Sequence, residues 1–136
     1  MTDMTVYADM AVELGEVFGF QLDYSRESVF ELEKLAEIIY EGNQKRPMSE
    51  ETLNMSMAMI GAYLGEMLLR SGLKDLGFAW AECAEGEIAL NRDEDWFYPI
   101  TKAHKRITAG PGDDLMMFYM VSLALAGGET VLQDPS

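Results

Sequence analysis

The sequence predicts an α+β domain in which a long central helix is surrounded by further helices and joined by a small antiparallel sheet of two or three strands. Three observations carry this expectation. The stretch S-E-E-T-L-N-M-S-M-A-M-I-G-A-Y-L-G-E-M-L-L-R, Ser49 to Arg70, is apolar on nearly every side, the mark of a buried helix. Val29, Leu32, Leu35, Ala36 and Ile39 recur at helical spacing opposite Glu27, Glu31, Glu33, Glu37 and Glu41, which predicts an amphipathic surface helix. From Phe78 to about Tyr98 the helical period gives way to short runs, F-A-W-A-E-C and E-I-A-L-N, parted by the turn A-E-G.

Taken in chain order, Tyr7, Met10, Leu14, Val17 and Phe18 predict a first amphipathic helix that ends near Gly19. Phe20, Leu22 and Tyr24 then point inward from a short connection, and Asp23 or Ser25 caps the second helix. G-N-Q-K-R-P-M reads as a loop. Ser49 caps the central helix, Glu50 and Glu51 place negative charge on its first turn, and Gly72 stops it. Inside that helix Ala58, Gly61, Ala62 and Gly65 form a stripe of small residues. Each glycine costs about 1 kcal/mol relative to alanine, so the stripe implies close approach, of a second backbone in the first place and of a ligand in the second.

After the hairpin, R-D-E-D-W-F-Y reads as an acidic turn and then an aromatic run, the place of a third short strand if the sheet has three rather than two. Asp93, Glu94 and Asp95 lack the spacing of a calcium loop and read as a solvated turn, so no metal is expected. Pro99 to Thr108 is a helix with proline in its first turn and Gly110 as its stop; Lys102, Lys105 and Arg106 on it are expected to pair internally with acids. Asp113 and Asp114 open a last helix packed through Leu115, Phe118, Tyr119, Val121, Ser122 and Leu125. The 136 residues are expected to form one domain, with a frayed tail from about residue 128.

The formal charge of −14 and pI near 4.2 argue against nucleic acid or an anionic membrane surface; the acidity reads first as a means of solubility and second as attraction for a basic protein partner. Ten acids stand against Arg26 and Lys34 in the first 42 residues. The single cysteine, Cys83, rules out an internal disulfide, and the amino terminus has no secretory pattern, so a cytoplasmic setting is expected. No segment reads as a membrane span.

One histidine and one cysteine leave little room for nucleophilic or metal chemistry, and no cofactor or catalytic residue is expected. His104 reads as a surface residue on a basic helix and Cys83 as a small buried hydrophobe. Glu66, among Gly65, Leu64, Met67 and Leu68, must find a partner, and Arg106, Lys105 or a tyrosine hydroxyl is the expected one. Candidate binding residues are therefore Tyr63, Glu66, Trp80, Trp96, Lys105 and Arg106. The methionines at 55, 57, 59, 67, 116, 117 and 120 read first as core filler and second as an adaptable exposed surface.

L-D-Y-S-R-E-S at 22 to 28, G-A-Y-L-G-E at 61 to 66, Trp80, and Pro99 followed by K-A-H-K-R-I-T-A-G at 102 to 110 together resemble an uncharacterised bacterial family of small domains of unknown function. The resemblance implies a glycine-rich helix, a small sheet and a lysine-arginine helix in one α+β domain, and it brings no activity. The stretch D-E-D-W-F-Y departs from the pattern.

These observations favour a non-enzymatic protein-binding module, of inhibitor or immunity type, that uses its acidic face or the aromatic edge of the sheet. The alternative is a small enzyme or ligand-binding domain with Glu66, Tyr63 and Arg106 lining a pocket. Homodimerisation through the sheet edge or a methionine face is a further possibility.

Overall fold

A computed structural model describes residues 3–127, so the expected tail from about residue 128 lies outside the described residues. Its order is α1 (Met4–Val17), α2 (Ser28–Lys45), α3 (Glu50–Leu68), β1 (Ala79–Glu82), β2 (Ile88–Arg92), β3 (Asp95–Phe97), α4 (Pro99–Ala109) and α5 (Leu115–Gly127). The α+β expectation holds, with α3 at the centre: α1, α2, α4 and α5 all pack on it.

Helix α3 begins where the capping chemistry places it. The Ser49 Oγ accepts from the Thr52 N–H at 3.1 Å and Glu50 and Glu51 occupy the first turn. Burial is complete from Met59 to Leu68, whereas Glu50, Glu51, Thr52, Asn54 and Met55 are exposed, so the helix is enclosed only over its second half. A wider turn, Leu69–Leu73, continues it to Gly72, whose φ of 142° no side chain adopts comfortably.

The small stripe has two different causes. A Cβ on Gly61 would overlap the backbone of Ile100 in α4, as the close-approach argument expects. At Gly65 the neighbour is instead the indole of Trp80, with Pro99 behind it. One stripe therefore seats both α4 and the sheet.

Helix α1 bears out part of the expected face, since Tyr7, Met10 and Leu14 are half-buried against the core, and corrects the rest. Its buried stripe is Met4, Ala8, Ala11 and Gly15, while Val17 is 76% exposed and Phe18 is also exposed. Small residues win the inward side because α1 lies closely against α3. Leu22 is buried, and Phe20 and Tyr24 pack against the core as expected.

The five predicted core residues of α2 are all buried. Its entry differs, since the Asp23 carboxylate accepts from the Ser25 N–H at 3.1 Å and Oγ at 2.6 Å and so fixes the preceding turn. The helix also runs through Gly42 to Lys45, where composition reads as loop.

The sheet has the order β1-β2-β3, antiparallel throughout, which confirms a third strand. Its register sets Trp80 opposite Leu90 and Leu90 opposite Phe97, and these three share the face that meets the helices. Asp93 and Glu94 form the second turn, Asp93 with a φ of 51°. Among the described residues no cluster of acids, His or Cys could hold a metal ion, and no helix is long and apolar enough to cross a membrane.

Pro99 opens α4 as predicted. Asp114 alone caps α5, accepting from the Met117 N–H at 3.0 Å, while Asp113 pairs with Lys102 at 3.0 Å. Leu115, Tyr119, Ser122 and Leu123 are the buried residues of α5. Val121 and Leu125, expected in the core, stand in solvent.

The Gly61 contact makes a testable prediction. Gly61→Ala should lower stability by about 1–3 kcal/mol through overpacking, although on an open helix the same change would raise it by about 1 kcal/mol. Denaturant titration of the two proteins checks the sign, and a stabilised variant would mean that α3 and α4 are farther apart than described.

Candidate functional site

Tyr63 and Glu66, one turn apart on α3, organise a polar network inside the fold. The Trp80 indole N–H donates to Glu66 Oε2 at 2.9 Å, and Arg70 Nε lies 3.8 Å from Oε1. The Arg70 guanidinium covers the Tyr24 ring at 3.6 Å, and that ring stacks on Tyr63 with centroids 4.7 Å apart. The Tyr63 hydroxyl accepts from the Tyr24 N–H at 2.8 Å and shares a hydrogen with Ser28 Oγ at 2.7 Å. This holds Tyr24 at a φ of 63°, unusual for a side-chain-bearing residue. The Tyr24 hydroxyl donates to Asp9 at 3.0 Å; burial first, and this carboxylate second, push its pKa well above the usual phenol value.

Arg106 belongs to a different cluster, which corrects the expected Glu66 pairing. Its guanidinium is 1% exposed and donates through Nε to both oxygens of Glu33, at 3.0 and 2.9 Å, and through Nη2 to Glu33 and to Glu37, each at 2.6 Å. Glu33 also accepts from the Leu115 N–H at 3.1 Å, at the start of α5. The hydrogen bond from Arg106 holds the Glu37 carboxyl below its ordinary range, and Glu37 in turn raises that of neighbouring Glu41. Glu33 and Glu37 therefore work as an internal clamp, where the pattern of α2 reads them only as part of a wet face. The expected internal pairing of the α4 basic cluster is met by Lys102 and Arg106, while Lys105 has no ion pair among the described residues.

The remaining candidates meet on the surface. Trp96 and Lys105 line one hollow of about 440 Å³ together with Phe97, Tyr98, Lys102 and Phe118. Trp96 and Tyr98 stack there with centroids 6.2 Å apart. Phe97, Lys102 and Phe118 also line an adjoining hollow of about 650 Å³ that runs along α5 to Phe30 of α2. His104, exposed on α4, borders a third hollow of about 430 Å³ with Asn54 and Glu87. Cys83 is half-buried just beyond β1, not enclosed as expected. None of these hollows is lined by Tyr63, Glu66 or Arg106.

Chemically the surface grooves offer aromatic rings, thioethers and two ammonium groups, which suits binding. Among the described residues the buried networks have their polar atoms spoken for, apart from Arg106 Nη1, and suit structure. The outward side of α5 has Met117, Met120, Val121 and Leu125 exposed, which fits the second reading of the methionines as an exposed surface and adds to it Val121 and Leu125, which the sequence places in the core. The available signal was a helix without one charged residue among its thirteen.

No family model, no curated protein and no solved structure matches this chain.

The two networks should respond differently to substitution. Glu66→Gln retains an acceptor for the Trp80 N–H and should cost about 1 kcal/mol or less, whereas Glu66→Leu leaves that donor unpaired and should cost about 1–3 kcal/mol by thermal unfolding. Arg106→Met leaves two carboxylates without their cation and should cost about 3 kcal/mol at neutral pH, with Arg106→Lys in between because an ammonium cannot fork. Glu37 also sets a pH signature. Its folded pKa is depressed below the reference 4.5, so its contribution is complete above that pH and is lost as pH falls through the lower folded value. The stability gap between wild type and Arg106→Met should narrow in that acid window.

Proposed function

We propose that this chain is a non-enzymatic protein-binding module that holds a basic protein against its acidic surface, in the manner of an inhibitor or immunity protein. The observation that carries the reading is the outer face of α1. Asp9, Glu13 and Glu16 stand there at i, i+4 and i+7, all exposed, and the first cation in the chain is Arg26. None of the three has an ion pair among the described residues. Like charges at this spacing cost a helix a few tenths of a kcal/mol per pair, roughly 0.2–0.5, and a cationic partner converts that cost into attraction. Val6 and Val17, seven residues before and four after Glu13, are exposed on the same side and supply apolar contact beside the charge.

A cytoplasmic, bacterial setting belongs to this reading; the single cysteine and the sequence resemblance support it. The pocket alternative has less behind it. Tyr63 and Glu66 are engaged with Trp80, Arg70 and Ser28, and Arg106 serves a separate clamp.

Capture from a cell lysate at low and high salt tests the proposal, with wild type and the double variant Glu13→Gln/Glu16→Gln as baits. A basic protein should be retained by wild type at low salt, lost at high salt, and lost by the variant, which should itself melt no lower than wild type. Retention indifferent to salt and to the variant would remove the acidic face from the account.

A further inference from the structure

We propose that the outward stripe of α5 is the interface between two copies of this chain. Helix α5 has two apolar sides. Leu115, Tyr119, Ser122 and Leu123 face the core, and on the opposite side Met117, Met120, Val121, Ala124 and Leu125 fall at i, i+3, i+4, i+7 and i+8, the spacing of a helix-packing face. Met117 is 62% and Leu125 74% exposed. Phe30 of α2, 57% exposed, extends the patch across the groove of about 650 Å³. A second helix fits this stripe, because Ala124 leaves room at its middle for a facing side chain.

Charge decides whose helix it is. Around this patch and the adjoining hollows Arg26 and Lys105 stand against Glu27, Glu87 and Asp114, while Lys102 is matched by Asp113 and Glu33 by Arg106. The neighbourhood is close to neutral in a chain whose formal charge is −14. Two like-charged copies therefore meet here with less repulsion than through the acidic face of α1, and a strongly basic partner is drawn to that other face. A two-fold contact covers the same stripe on both copies and then closes. Left open, a contiguous apolar patch of this kind invites non-specific association.

Sedimentation over a wide concentration range, at low and high salt, tests this on wild type, Met120→Glu and Leu125→Glu. Wild type should form a dimer that tightens with salt as the repulsion between acidic chains is screened. Each variant buries a carboxylate twice in the interface and should weaken the dimer by about a hundredfold or more. Both substitutions are on exposed positions, so the variant monomers should melt like the wild-type monomer. A wild type that stays monomeric throughout, or a dimer untouched by both variants, overturns the proposal. So does a monomer that Leu125→Glu destabilises, since the stripe would then be covered within its own chain, as by residues 128–136. The acidic-face reading stands or falls separately, because the Glu13/Glu16 variant leaves α5 intact and Leu125→Glu leaves α1 intact.

Discussion

The placement of α4 depends on a guanidinium that has no access to water. Removing Arg106 from solvent carries a desolvation penalty of several kcal/mol, which only close and multiple pairing offsets. Glu33 and Glu37 provide it from one side of α2, and Glu33 uses its remaining capacity on the first N–H of α5. Three helices are thereby fixed in one relative arrangement. A buried ion pair of this kind contributes little net stability compared with a hydrophobic substitute, but its bonds from Nε and Nη2 to Glu33 and Glu37 are directional and hold the helices in register. With α4 held against α2, Ile100 comes down on Gly61, and Pro99 carries the chain straight out of β3 so that Trp80 settles on Gly65. The sheet, too small to be stable alone, inherits its position from this chain of contacts.

Those elements that depend on neighbours in sequence are legible from the residues alone. The Ser49 cap, the Gly72 stop, the inward stripe of α2 and Pro99 at the head of α4 each rest on chemistry spanning a few residues. The glycine stripe announces close approach but not by what, and a backbone and an indole turn out to share it. Pairings across the chain are a different matter. Arg106 and Glu33 are 73 residues apart, and nothing in the helical period of α2 separates an acid that meets water from one that meets Arg106. The same holds for Glu66, whose partner Trp80 is delivered by a strand register. In α1 the large apolar residues suggest one face and the small ones occupy the real interface, because close helix contact selects for size before hydrophobicity.

Helices α3 and α5 make an instructive pair. Both are apolar around most of their circumference, so neither pattern has a phase from which an inward side could be read. For α3 the four other helices supply the cover and Gly61 and Gly65 explain how close its neighbours come. For α5 the cover exists on one side only, and Val121 and Leu125, equal in hydrophobicity to Leu115 and Leu123, are left in solvent. The candidate residues divide in the same way. Tyr63, Glu66, Trp80 and Arg106 serve packing networks, while Trp96 and Lys105 reach the surface beside the groove that leads to α5.

The separation of charged from apolar surface has a consequence for how the two proposed contacts combine. Helix α1 packs chiefly on α3, and α5 reaches the core through α2, the turn after α3, and α3 itself, so a contact through the outer stripe of α5 leaves the acidic stripe of α1 in solvent. A dimer joined there presents that stripe twice. A basic protein with two suitable patches would bind such a dimer more tightly than the sum of single contacts, since the second engagement is intramolecular. Salt works on the two contacts in opposite directions, strengthening the uncharged one by screening chain repulsion and weakening the charged one. The acids on α1 thus act at a distance on the α5 contact, because each cation that neutralises them also removes repulsion between the two copies, and partner binding and self-association become thermodynamically linked through charge.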